Sequence, residues 1–341
     1  MRWSKRGAIG VAISVVALGW VAVQVDFPEV WRVLGSSDWR WWILAVVGST
    51  STFPLRAIRW RTILEPVAGA LPLGMLWRST AIGMMVTNVI PLRVGEIARA
   101  YALTRETKRV GFAAAFTSVA VDRVFDTAVL LLLLVVGMLD LPPGAGDRVI
   151  LGQTLRSWMA SGAVMVGIAL GGLYSVVAYP DRLIRLFELF ARRVAPSIEA
   201  RGRDLLISFT GGLGVLRSPR RFALVLAWTV AHWLLNAAAF WVGFRAVGLD
   251  LPFSAALVLQ TVMGVAVAVP SSPGFWGVFE FVAVIVLVTI YGVANADAAA
   301  WAVGYHVLTY LPITFLGLMY FGRLDMRFGE LGQVGTADPV T

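Results

Sequence analysis

The sequence predicts an all-α, polytopic helical membrane protein with about six full spans plus two re-entrant helical hairpins arranged as an inverted repeat. Three observations predict it. Of 341 residues, 58% are hydrophobic and only 14% charged, with a mean hydropathy of +0.78, which leaves too few polar groups to cover a soluble globule. The apolar blocks run continuously over helix-spanning lengths instead of alternating as barrel strands do. Two of those blocks are broken by proline and glycine next to charge.

Spans are placed where about twenty apolar residues recur, and loops are oriented by their arginines. Arg2, Lys5 and Arg6 precede the run Gly7 to Val25, which superficially resembles a secretory signal but, with more spans to follow, reads as a retained first helix. The loop Asp26 to Arg40 is external. Trp41 to Ile58 returns to a basic inner edge at Arg56, Arg59 and Arg61. Leu73 to Lys108 leaves from a basic side and ends on one, at Arg93, Arg99, Arg105, Lys108 and Arg109. A single crossing cannot do that, so the segment is a re-entrant pair broken near Pro91, or else interfacial. Phe112 to Leu139 then crosses outward and Trp158 to Tyr179 inward. Residues 181–221 form a basic cytoplasmic loop with Leu183, Ile184, Leu186, Phe187 and Phe190 at amphipathic spacing. Phe222 to Val247 crosses outward. Phe253 to Val269 and Phe275 to Tyr291 form a second hairpin around Pro270-Ser271-Ser272-Pro273-Gly274, and Ala298 to Phe321 crosses inward.

This pattern makes one transmembrane domain over 1–341 with no room for a further soluble domain. Residues 7–139 and 158–321 are its inverted repeats, and both termini lie on the cytoplasmic side of the cell inner membrane. Pro91 and Gly95 are matched by Pro273 and Gly277, each pair preceding a glutamate, Glu96 or Glu280.

Charge at bilayer depth costs at least about 2.5 to 3.5 kcal/mol and normally faces a cavity, a partner or a substrate. The stretch Asn88 to Arg99 carries Arg93, Glu96 and Arg99 directly against an apolar run. If it is helical from Val94 onward, Glu96 neighbours both arginines. The remaining positive charge either grips an anion, aided by backbone N–H groups at a helix start near Gly95, or ties off the break as an ion-pair knot. Asp122, Arg123 and Asp126 lie at depth in one helix, with the two carboxylates on one face. They either neutralise the arginines or carry a proton or cation. Ser271 and Ser272 bind a headgroup or cap a half-helix beside Pro270, Pro273, Gly274 and Gly277; Asn88 lines a cavity or satisfies freed backbone.

The chain has no cysteine, two histidines, His232 and His306, no H-E-x-x-H spacing and no P-loop. Disulfides, thiolate catalysis, a conventional metal site and nucleotide hydrolysis therefore have no visible support, no cofactor is implied, and the histidines read as packing residues. The net charge of +9 reports topology and attraction to anionic lipid headgroups, not a nucleic-acid ligand.

Four motifs together resemble a known family, the flippase-like transmembrane domain of lysylphosphatidylglycerol synthases, in its standalone form without the aminoacyl-transferase domain. They are Arg56, Arg59 and Trp60; N-x-x-P-x-R-x-G-E-x-x-R at Asn88 to Arg99; acidic-Arg-x-x-Asp at Asp122 to Asp126; and P-G-x-x-G-x-x-E at Pro273 to Glu280. Phe275 stands where the family often has a second glycine, and Asp122 where it often has glutamate. The resemblance implies movement of an aminoacylated phospholipid or a polyprenyl-phosphate-linked carrier between leaflets. Arg93 and Arg99 would grip phosphate, Glu96 would tune them, and Asp122, Asp126 and Glu280 would balance charge. The leading expectation is a lipid translocase that is not an enzyme. A membrane-embedded lipid-linked glycosyl or headgroup transferase and a scaffold for a separate synthase or glycosyltransferase are the alternatives.

Overall fold

A computed structural model describes residues 5–90, 94–150, 152–179, 218–267 and 271–330, together with Arg182, Arg185, Glu188 and Leu189. Pro91, Arg93 and Pro270 lie outside the described residues, as does most of the loop 181–221.

Among the described residues the chain forms eleven α-helices. They are α1 (Lys5–Gln24), α2 (Phe27–Gly35), α3 (Trp39–Ala68), α4 (Leu73–Val89), α5 (Gly95–Glu106), α6 (Phe112–Met138), α7 (Leu155–Ala178), α8 (Pro219–Ala246), α9 (Phe253–Ala266), α10 (Val278–Tyr291) and α11 (Asn295–Arg323). A two-residue antiparallel pairing of Val149–Ile150 with Gln153–Thr154 lies between α6 and α7. The protein is all-α and membrane-embedded. Pro219–Ala246, Pro273–Tyr291 and Asn295–Arg323 are long and apolar enough to cross a bilayer, and Ala12–Gln24 with Phe27–Gly35, bent by 85°, makes up a fourth candidate.

Two boundaries differ from the sequence reading. The expected external loop at 26–40 contains α2, two and a half turns of helix with Pro28 in its first turn, which buries Val30 and Val33 and packs on α11. The second expected span ends at Ile58, whereas α3 continues to Ala68. Its start is fixed by Asp38, whose side chain accepts the Arg40 N–H at 2.9 Å. Its continuation rests on burial of Arg56 and Arg59 inside the protein, so these residues are not a basic inner edge.

The helices beside the two proline- and glycine-containing breaks include short ones. At about 1.5 Å per residue α5 reaches roughly 18 Å and α9 roughly 21 Å, less than a bilayer core of about 30 Å, whereas α10 with the turn before it makes up the spanning candidate Pro273–Tyr291. The antiparallel α4 and α5 approach closely because Gly95 carries no side chain: a Cβ there would stand 1.9 Å from Thr87 Oγ1 and 2.2 Å from the Gly83 carbonyl oxygen. Helix α3 packs on α8, α4 on α11, α6 on α9, and α5 on α6. The largest apolar cluster joins α8, α9, α10 and α11, with Phe240, Phe244, Leu259, Leu287 and Trp301 at its centre.

Candidate functional site

Four helices, α3, α5, α6 and α8, bring together a charge cluster that no local stretch of sequence contains. On α3, Arg56 and Arg59 are one turn apart; on α6, so are Asp122 and Asp126. Arg59 bridges both carboxylates, with Nε 2.6 Å from Asp122 Oδ1 and Nη1 2.7 Å from Asp126 Oδ1. From α5, Arg99 places Nη1 2.9 Å from Asp122 Oδ2. Its guanidinium lies 4.1 Å from the centroid of the Trp60 ring, and that ring is fixed by donating Nε1–H to Ser118 Oγ at 2.7 Å. Arg123 Nη1 is 3.2 Å from Asp126 Oδ2, and its Nε is 3.0 Å from Glu96 Oε1. From α8, Thr229 Oγ1 accepts from Arg59 Nη1 at 3.1 Å, and Trp233 Nε1–H donates to Asp126 Oδ1 at 2.9 Å.

Arg56 is the least neutralised member. Its Nη2 is 3.7 Å from Asp126 Oδ2, and its Nη1 reaches only Met84 Sδ, at 3.4 Å. Arg56 is 7% exposed and Arg99 3%, yet Arg56 Nε and Arg99 Nε and Nη2 have no hydrogen-bond partner. Four guanidinium groups face three carboxylates, Glu96, Asp122 and Asp126, which leaves one formal positive charge among the described residues. Buried ion pairs offset desolvation only where the remaining hydrogen bonds are made. Arg56 and Arg99, which carry the unsatisfied donors, line a small, partly open cleft with a cavity volume of about 10 Å³, with Arg123 and Glu96 also in its wall beside Thr80 and Thr87. An anionic group whose oxygens accept hydrogen bonds, matched to the planar fork of arginine, would satisfy those donors.

The expected residues separate into two places. Glu96, Arg99, Asp122, Arg123 and Asp126 meet in the cluster, although Glu96 faces Arg123 of α6 and not Arg99 of its own helix. Asn88 is buried: Nδ2 donates to Thr314 Oγ1 at 2.7 Å, and its backbone carbonyl accepts from the Tyr310 hydroxyl at 3.2 Å. Ser271, Ser272, Gly274, Gly277 and Glu280 form the second break. Ser272 Oγ donates to the Trp276 carbonyl at 2.9 Å, while its N–H donates to Ser14 Oγ of α1 at 2.9 Å. Ser271 Oγ is buried without a hydrogen-bond partner. Among the described residues Glu280 pairs with no arginine: Oε2 accepts the Gly277 N–H at 2.7 Å, and Oε1 lies 2.6 Å from His306 Nδ1. The other histidine, His232, sits with Nδ1 3.2 Å from the Thr52 carbonyl oxygen.

Sequence reasoning missed Arg56 and Arg59 as site residues because buried and topogenic arginines have the same composition. The signal was their separation by one helical turn, three residues, which puts them on one face as the four-residue separation does for Asp122 and Asp126. Among the described residues no group of three or more metal-ligating side chains occurs.

Residues 7–317 match the family described as the lysylphosphatidylglycerol synthase TM region. The chain belongs to this family. Among its relatives, the glycosyltransferase AglD of Haloferax volcanii is 28% identical over 328 residues, covering 88% of this chain and 51% of that protein. The chain thus spans about half the length of that relative. Two UPF0104 membrane proteins of Methanothermobacter thermautotrophicus are 25% and 20% identical, each match covering at least 91% of both chains. The expectation of a protein that is not an enzyme is corrected by the first of these: a relative within this family's reach carries an enzyme's name. The coarse functional class is membrane- and lipid-related.

Proposed function

We propose that this protein moves a phosphate-bearing lipid between leaflets, the headgroup passing through the cleft walled by Arg56, Arg99, Arg123 and Glu96. The observation that carries the reading is the surplus positive charge of the cluster together with unpartnered donors on Arg56 and Arg99. A phosphodiester or phosphomonoester supplies the missing acceptors, and the acyl or prenyl chains stay in the bilayer. Aminoacylated phospholipids and polyprenyl-phosphate-linked carriers both have this chemistry.

The reading includes about six full spans, with α4/α5 and α9/α10 as opposed re-entrant hairpins of an inverted repeat. Reciprocal packing supports it. Exchanging the halves maps the contact of α4 with α11 onto that of α9 with α6, and α3 with α8 onto itself. Each exchanged contact is close at a glycine near the end of the longer helix, Gly317 in α11 and Gly137 in α6. The tips also adjoin, since a Cβ at Gly274 would stand 3.3 Å from the Asn88 carbonyl oxygen. Positive loops orient both termini to the cytoplasmic side.

Protein reconstituted into vesicles is expected to move a fluorescent phospholipid, an aminoacylated phospholipid or a polyprenyl-phosphate lipid across the bilayer. Arg56→Gln with Arg99→Gln is expected to abolish the movement, and an unchanged rate in that variant overturns the assignment.

A membrane-embedded glycosyl or headgroup transferase is the second reading, favoured by the name of the Haloferax relative. Glu96 is then the carboxylate placed to act as general base, because it lines the cleft while Asp122 and Asp126 are buried among arginines. Product formation by purified protein from lipid and sugar donor, lost in Glu96→Gln, distinguishes it from translocation.

A further inference from the structure

Apart from the arginine cluster, the second break holds a buried acid and base. Glu280 of α10 is 2% exposed and His306 of α11 is 7%. His306 Nε2 is 2.9 Å from the Gly274 carbonyl oxygen, which can only accept, so Nε2 carries a hydrogen. The 2.6 Å contact of Nδ1 with Glu280 Oε1 also contains a hydrogen. Glu280 Oε2 is already used by the Gly277 N–H. The pair therefore holds two hydrogens, one of them between acid and base.

The imidazole is stacked on Trp276 at 4.2 Å and lies 4.5 Å from the Phe279 ring. Its hold on Gly274 presses the second break against Asn88 at the end of α4, where the Tyr310 hydroxyl closes the contact. The groups facing this break are Ser14 from α1, Asn88 from α4 and the Tyr310 hydroxyl from α11. Among the described residues neither Glu280 nor His306 has another ion-pair partner, whether from α1, α2, α3, α4, α8 or α9.

We infer that Glu280 and His306 form a proton-binding site that locks the second break against the first and releases it when the bridging proton leaves. Loss of that proton to water sets the lone pair of Nδ1 against a carboxylate oxygen. The repulsion is relieved by parting α10 from α11 at Gly274–Gly277.

The chain contains no cysteine and two histidines, which makes the inference directly testable. As the pH is raised, Ser272→Cys in vesicles is expected to gain several-fold more in maleimide reactivity than Ser272→Cys with His306→Gln, in which the gain is set by thiol chemistry alone. Equal pH dependence in the two proteins overturns the inference. Should His306→Gln fail to fold, ¹⁵N-histidine spectra of the otherwise native chain, assigned with His232→Asn, read the His306 nitrogens. A bridging Nδ1 proton lost as the pH is raised is expected, and a protonation state unchanged up to the pH at which the protein unfolds overturns the site. Neither measurement depends on lipid transport.

Discussion

Arg59 Nε and Asp122 Oδ1 stand 2.6 Å apart with both side chains fully buried. Asp122 also holds Arg99, and Arg59 also holds Asp126, so this contact joins α3, α5 and α6 through charge. Breaking such a pair from one side leaves an uncompensated buried charge, at a cost of about 3–5 kcal/mol. Asp122→Asn strands two guanidinium groups at once. Its unfolding, followed by thermal melting in detergent, is expected to show a loss in that range, and a melting temperature equal to that of the unsubstituted protein would refute the structural role.

Arg56→Gln is expected to behave differently. It removes the surplus charge, leaving three guanidinium groups against three carboxylates among the described residues, and it breaks a contact of 3.7 Å to Asp126 and one of 3.4 Å to Met84 Sδ. Stability should therefore change far less than in Asp122→Asn, while lipid movement or headgroup binding falls sharply. Parallel melting and vesicle assays on the two variants check this. Equal destabilisation by both would make Arg56 a structural member of the cluster.

Much of the helical order was legible because apolar runs of spanning length leave a bilayer few alternatives. The end of α3 was not, since hydropathy falls at Arg59 whether an arginine meets water or a buried aspartate. Asp122 and Asp126 were legible as a pair from their spacing, but their arginines on α3 were not, because the pairing spans more than sixty residues of chain. Glu280 was visible as a charge beside a break. Its partner His306 lies on the following helix, and no local periodicity connects the two.

Close helix approach gives a graded expectation. A Cβ at Gly317 would meet Met85 Cβ at 2.3 Å and the Ala81 carbonyl oxygen at 2.4 Å, whereas one at Gly137 meets Leu257, Val258 and Ser254 at 3.0–3.1 Å. Overpacking typically costs about 1–3 kcal/mol. Gly317→Ala, pressed against backbone that cannot rotate away, is expected at or above the upper end, and Gly137→Ala near the lower end. Unfolding midpoints of the two variants test the order, and a larger loss at Gly137 would contradict the α4 to α11 packing.

Phe275 adopts φ +64°, and Gly274 before it φ +65°. A side chain in this left-handed region costs about 1–2 kcal/mol relative to glycine. Phe275→Ala and Phe275→Gly both remove the ring, but only glycine also removes the strain. The glycine variant is therefore expected to be more stable than the alanine variant by about 1 kcal/mol. The comparison isolates the backbone term, because whatever the ring contributes cancels between them. If alanine proves the more stable, Phe275 does not hold the left-handed turn in solution, and the geometry that brings Gly274 against the Asn88 carbonyl would have to arise elsewhere in the break.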